Sequence, residues 1–202
     1  MQYKLMLCVL LCAVFSGDGQ AEMPAAAATC GACHNAAVAA ATGAPQLNGQ
    51  HEFYLQKQLQ QWQSGTRGQH PDDSRGQQMA AIARALSADD ISTLARYFSQ
   101  LPVAAVTETN TDAALLDKGR RIYIGNCGAC HGDKAQGNEA LNAPALSMLT
   151  KDYLALQLSH FNSGVRGTAK SDRPGRQMAL ISRSLSAADM QAVAAYLGAG
   201  MP

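Results

Sequence analysis

Aromatic residues make up only 5% of this 202-residue chain, although 47% of it is hydrophobic. A core built from side chains alone would therefore consist largely of Ala and Leu, and a large apolar cofactor would make up the deficit. An excess of charge of one sign is also missing. Sixteen Lys and Arg against 15 Asp and Glu leave a formal net charge of +1, which excludes a strongly basic nucleic-acid binder and an acidic disordered tail. No alternating strand pattern occurs anywhere, so the expected fold class is all-α. Long apolar runs are lacking too. The one candidate, residues 5–15, follows Lys4 and is too short to span a bilayer. With small residues at Gly19 and Ala21, it fits a cleaved secretory signal over residues 1–21. The mature chain is then expected to begin near Glu22, in the periplasm, with no transmembrane span and with membrane association at most peripheral. Lipidation at Cys12 is the rival reading, which Leu11 suits poorly.

Of six cysteines, Cys8 and Cys12 lie in that leader, leaving Cys30, Cys33, Cys127 and Cys130. These fall in two identical pentapeptides, Cys30-Gly31-Ala32-Cys33-His34 and Cys127-Gly128-Ala129-Cys130-His131, and the likeness of the two halves runs on from there. Pro45 meets Pro144, and Tyr54-Leu55 meets Tyr153-Leu154. Ser64-Gly65-Thr66-Arg67-Gly68 meets Ser163-Gly164-Val165-Arg166-Gly167, and Met79 meets Met178. The chain is a tandem duplication whose second copy is two residues longer between its His and its Pro, as loops tolerate. Each copy ends in a capped amphipathic helix: Ser87 to Asp90 and Ser186 to Asp189 form capping boxes. Ile91, Leu94, Ala95 and Phe98 share one face, repeated by Met190, Val193, Ala194 and Leu197. A middle helix is expected around Tyr54 to Trp62 and again around Tyr153 to Phe161. These elements divide the chain into a first domain over residues 22–101, a linker over 102–111 and a second domain over 112–202.

Two thiols on one helical turn can form thioethers to haem vinyl groups while the adjacent His reaches the iron. Zinc binding, a disulfide and a thioredoxin-like pair are the bland alternatives. Zinc would need further ligands, and no βαβ pattern supports a thioredoxin. The expected cofactors are thus two haem c groups, with His34 and His131 as proximal ligands. A sixth ligand should recur in both halves, and Met79 and Met178 do. A thioether favours ferrous iron relative to a second imidazole, so His/Met ligation implies a raised potential suited to respiratory electron transfer. The competing reading of these residues as core filler is weakened because Met23, Met148, Met190 and Met201 have no Met counterpart. His51, His70 and His160 likewise face other residue types, which leaves bis-histidine ligation without a duplicated candidate.

The segments Pro45-Gln46-Leu47-Asn48-Gly49-Gln50, Ser64-Gly65-Thr66-Arg67 and Met79 to Ser87 followed by Asp90 resemble those of the diheme cytochromes c of the c4 type. The resemblance covers essentially all of the expected mature chain. It implies two tandem class I cytochrome c domains related by pseudo-twofold symmetry, with haem propionate edges facing each other. It also implies that Pro45 and Pro144 each offer a backbone carbonyl to the proximal imidazole; a plain loop proline is the alternative. Arg67 and Arg166 either pair with propionates, tie the two domains together, or sit as surface residues in Gly-bounded turns. Core packing is expected for Trp62, which Phe161 replaces in the second copy. The function implied is a diheme electron carrier without substrate turnover of its own, passing single electrons from a quinol-oxidising complex to a terminal oxidase or reductase. A diheme electron-transfer subunit of a periplasmic dehydrogenase is the alternative.

The halves differ in two respects. The second opens with a predicted helix over residues 112–125 that places Leu115, Leu116, Gly119, Ile122 and Tyr123 on one face. In the first, only Glu22 to Thr29 precede the motif and Pro24 limits any helix to about two turns. The first domain is therefore expected to be the less stable. Charge is also split: residues 22–108 carry 5 basic against 7 acidic residues, or −2, and residues 109–202 carry 10 against 7, or +3.

Overall fold

The computed structural model describes residues 23–104 and 112–201. The expected signal, residues 1–21, and residues 105–111 of the expected linker lie outside the described residues. Regular structure among the described residues is helical, and the only β-type pairing there is an isolated bridge between Asn138 and Ala143.

Five helices form the first half: α1 (Ala25–His34), α2 (Ala36–Thr42), α3 (Glu52–Gln63), α4 (Ser74–Ala83) and α5 (Ala88–Gln100). The second half follows with α6 (Ala113–Asn126), α7 (Gly128–His131), α8 (Lys151–Ser163), α9 (Arg173–Arg183) and α10 (Ala187–Gly198). Helix starts are set by side chains that accept from otherwise unpaired first-turn amides. Asp73 accepts from Gly76 N–H at 2.8 Å and Asp172 from Gly175 N–H at 3.2 Å, at equivalent places before α4 and α9. Ser87 with Asp90 and Ser186 with Asp189 close the two reciprocal capping boxes. Helices α4 and α9, which carry Met79 and Met178, are not foreseen in the sequence, nor is α2. The run of α2 is mostly Ala without periodicity, and α4 and α9 take their starts from Asp caps set against a buried Gly.

The stripe Ile91, Leu94, Ala95 and Phe98 is buried, as is Met190, Val193, Ala194 and Leu197. In the second half α6 crosses α10, and the crossing is close because Gly119 lies against the Ala192 carbonyl and Tyr196 Cβ, where any side chain would collide. Tyr123 is 1% exposed and donates its hydroxyl to the Gly132 carbonyl. Among the described residues the first half has no such crossing. Its α1 begins directly after Pro24 and runs unbroken through the Cys-His motif, so only Ala25 to Thr29 precede the first thiol. Ala27 alone in this segment is buried, against Leu94, Ala95 and Phe98. Among the described residues the opening segment braces the closing helix through Ala26, Ala27 and Cys30, where the second half uses a full helix.

Candidate functional site

Each half holds a cleft, and most of the sequence-expected residues meet on its walls. Cys30, His34, Pro45 and Met79 line the first; Cys127, Cys130, His131, Pro144 and Met178 line the second. Cys33 is exposed on the same helical turn as Cys30. Neither pair is joined as a disulfide. Among the described residues no group of three or more His, Cys, Asp or Glu converges, so neither pair finds a further set of zinc ligands. Burial raises the thiol pKa of Cys30, and burial followed by Cys130 raises that of Cys127 to about 11.

The two imidazoles are held alike. His34 Nδ1 is 2.8 Å from the Pro45 carbonyl and His131 Nδ1 is 2.9 Å from the Pro144 carbonyl. A carbonyl only accepts, so Nδ1 carries the proton in both and each Nε2 keeps its lone pair. Burial pushes both imidazoles below their usual pKa, against the pull of the carbonyls. A buried neutral imidazole with a fixed tautomer is the form that ligates a metal. Met79 packs beside Trp62 on α4, and Met178 shares its cleft with Phe161 on α9.

Between the clefts lies a polar cluster of which the sequence offered Arg67 and Arg166, as residues that could tie the domains together, but not their partners. Tyr54, Gln58, Leu149 and Tyr153 line both clefts. Arg67 donates to Gln58 of its own half at 2.6 Å and to Gln157 of the other at 3.1 Å. Arg166 reciprocates, to Gln157 at 2.6 Å and to Gln58 at 2.8 Å, and adds Tyr54 at 3.2 Å. This exchange is what a pseudo-twofold axis between the halves requires. Each guanidinium also covers an aromatic ring, Arg67 over Trp62 and Arg166 over Phe161, at 4.2 and 4.5 Å. Both arginines are buried, 8% and 9% exposed, which rules out the reading of surface residues in turns. The recurrence of Gln58 and Gln157 at one register in both copies is the signal that would have found their role.

A haem fits these residues. Arg67 Nε, Arg166 Nε and Trp62 Nε1 are buried donors without a protein acceptor. Arg67 and Arg166 make their hydrogen bonds to neutral Gln and Tyr side chains. Burial, then the charge of Arg166, lowers the pKa of Arg67 from its usual value. Buried cations of this kind call for anionic acceptors, which the propionates of a haem would supply.

The remaining histidines stand outside this arrangement. His51 Nε2 meets the Gln136 carbonyl of the other half at 2.8 Å, and His70 Nδ1 accepts from Asp72 N–H near the surface. His160 lies 3.9 Å from Asp73, across the boundary between the halves. Asp172, the counterpart of Asp73, is met from the first half by Lys57 at 3.2 Å.

Comparison with known proteins yields a family and several relatives. The cytochrome c family model matches residues 20–102 and again residues 116–199. Cytochrome c4 of Azotobacter vinelandii is 32% identical over 96% of this chain and 97% of that protein. A protein of Stutzerimonas stutzeri (strain A1501) named thiosulfate dehydrogenase electron acceptor is 33% identical over 85% of this chain and 78% of its own length. Among solved structures, reduced recombinant cytochrome c4 from Pseudomonas stutzeri matches with a TM-score of 0.67 at 29% identity, covering 85% of this chain and 93% of that one.

Proposed function

The chain belongs to the cytochrome c family as a diheme cytochrome c of the c4 type, and from that premise we propose which residues hold its two haems and whom it serves. It carries two haem c groups and is an electron carrier. Cys30 and Cys33 bind one haem covalently and Cys127 and Cys130 the other; His34 with Met79 and His131 with Met178 take the axial positions. Pro45 and Pro144 fix the tautomer of the two imidazoles, and Arg67 and Arg166 neutralise propionates while tying the domains together. The observation that carries this reading is the repetition, in both clefts, of an imidazole held through Nδ1 by a proline carbonyl with a Met on the same cleft wall.

When bound, each haem supplies an iron that accepts and returns one electron. The protein's part is to offer His34 and Met79, and His131 and Met178, as the two ligands of each iron, keep water out with apolar walls, and offset with buried Arg groups the charge that would change there. An iron held by both ligands would offer no substrate site, so the chain is read as turning over no substrate of its own. Tyr54, Gln58, Leu149 and Tyr153, shared by the two clefts, would place the haems close enough to act as one relay.

The proposed partners are a quinol-oxidising complex as donor and a terminal oxidase or reductase as acceptor. A second reading, electron-transfer subunit of a periplasmic dehydrogenase, is favoured by the similarity to the thiosulfate dehydrogenase electron acceptor. We place the carrier in the periplasm, exported by a signal at residues 1–21, with domains at 22–101 and 112–202 joined by residues 102–111. No helix among the described residues is long and apolar enough to cross a membrane.

The optical spectrum tests the ligand set. The oxidised protein should show a Met-to-iron charge-transfer band of strength appropriate to two haems, and Met79→Leu or Met178→Leu should each halve it. Rapid carbon monoxide binding to either reduced iron of the unmutated protein would defeat the proposal.

A further inference from the structure

Gln50 lies in the loop between α2 and α3, is 3% exposed, and reaches the other domain with both ends of its amide, while its Oε1 also accepts from His51 N–H of its own domain at 3.0 Å. Its Nε2 donates to the Ala145 carbonyl at 2.9 Å, and its Oε1 accepts from Ala145 N–H at 3.0 Å. The Ala145 N–H belongs to the same peptide unit as the Pro144 carbonyl, and that carbonyl is the acceptor for His131 Nδ1 at 2.9 Å. The result is an unbroken chain of polar contacts: Gln50 of the first domain, the Pro144–Ala145 peptide, and the imidazole of the second domain. It has no return path. Leu149 stands at the position of Gln50 in the second copy and has no polar side-chain atom, so nothing equivalent reaches the Pro45–Gln46 peptide from Leu149.

A peptide whose N–H is donated to a strong acceptor carries more negative charge on its oxygen; such chains strengthen each member by about 10–30%. A stronger acceptor on Nδ1–H makes the imidazole a more basic metal ligand, and basic ligands favour ferric over ferrous iron. We propose that Gln50 is a positioning residue that lowers the reduction potential of the second-domain haem from across the domain boundary, leaving the first-domain haem untouched. Docking of the two domains and the electron distribution between two otherwise matched haems become one variable. The difference between the haems then comes from a residue that is no part of the second domain. This inference rests on the ligand assignment proposed above, with His131 on the iron.

The test uses the full-length diheme protein and two variants, Gln50→Leu, which removes both contacts to Ala145 together with those to His51 N–H and Met148 Sδ, and Gln50→Glu, which keeps an acceptor for Ala145 N–H and His51 N–H but faces the Ala145 carbonyl with charge. Two readouts are followed: the potential of each haem and the nuclear magnetic resonance of the His34 and His131 Nδ1 protons. Gln50→Leu should move electrons toward the second-domain haem by roughly threefold to tenfold, with ~59 mV corresponding to tenfold for a one-electron couple. Gln50→Glu should move them the other way. In each, the His131 Nδ1 proton should shift while that of His34 stays. A residue that merely staples the domains would make both variants act in one direction, alter both haems equally, or leave the His131 proton unmoved, and any of these overturns the inference alone. Failure of the ligand assignment is distinguishable, because the oxidised unmutated protein would then show no paramagnetic shift at the His131 Nδ1 proton.

Discussion

His160 and Gln61 hold the same place in the two copies, and of the pair only His160 can gain a proton near neutral pH. Its Nδ1 has no hydrogen-bond partner and stands 3.9 Å from Asp73, the residue that caps the Met79 helix. Burial holds its pKa below 6.5; Asp73 opposes this, while Arg67, Arg166 and His70 add to it. A base with a depressed folded-state pKa binds fewer protons folded than unfolded. Its stabilising share is therefore full above about 6.5 and is lost as pH falls through the folded value. His160→Gln, which copies Gln61, should then soften the loss of stability between about pH 7 and about pH 5. Denaturant midpoints of both proteins at the two pH values measure this, and an identical decline would refute it. At this scale the two Cys-x-x-Cys-His motifs were legible because haem attachment dictates residue type and spacing, and the family resemblance pointed to the Pro45 and Pro144 carbonyls that the imidazoles meet. Gln50 was not, since an amide acquires its role from what stands opposite, and Ala145 lies in the other repeat.

Helices α6 and α10 meet at a glycine, whereas α1 meets α5 through the small side chains of Ala26, Ala27 and Cys30. Amide exchange in the intact protein should follow that difference, with α5 exchanging faster than α10 because less apolar surface braces it. Gly119→Ala brings a methyl against the Ala192 carbonyl. Although Ala is the better helix former by about 1 kcal/mol, overpacking at such a crossing costs about 1–3 kcal/mol. Exchange in α10 should accelerate toward that in α5; if α10 stayed protected, the crossing would not be what sets it. The closing helices could be read from sequence because a capping box and an apolar stripe coincide there. Helices α4 and α9 escaped because their apolar positions face a cleft as well as protein, so the periodic signal is diluted by residues such as Ile82 and Leu180 that stay 41% and 71% exposed.

At the scale of the whole molecule, the halves are joined by exchanged hydrogen bonds, by the ion pair of Lys57 with Asp172, and by the approach of His160 to Asp73. Removing one arginine should loosen this assembly, because hydrogen bonds to charged groups contribute about 1.5–3 kcal/mol each. Arg166→Leu deprives Gln58 and Tyr54 of their cross-domain donor. Small-angle scattering should then report a larger radius of gyration, and electron exchange between the haems should slow; a compact variant with unchanged exchange would contradict this. The duplication, the all-α class, the haem-binding pentapeptides and the recurring Met were determined by the sequence alone, since covalent chemistry and helical periodicity are local rules. Which buried Arg faces which Gln, and which domain's amide reaches which proximal carbonyl, was decided only by the tertiary structure. Those contacts join residues about half the chain apart, and their existence depends on how two nearly equal halves are turned toward each other.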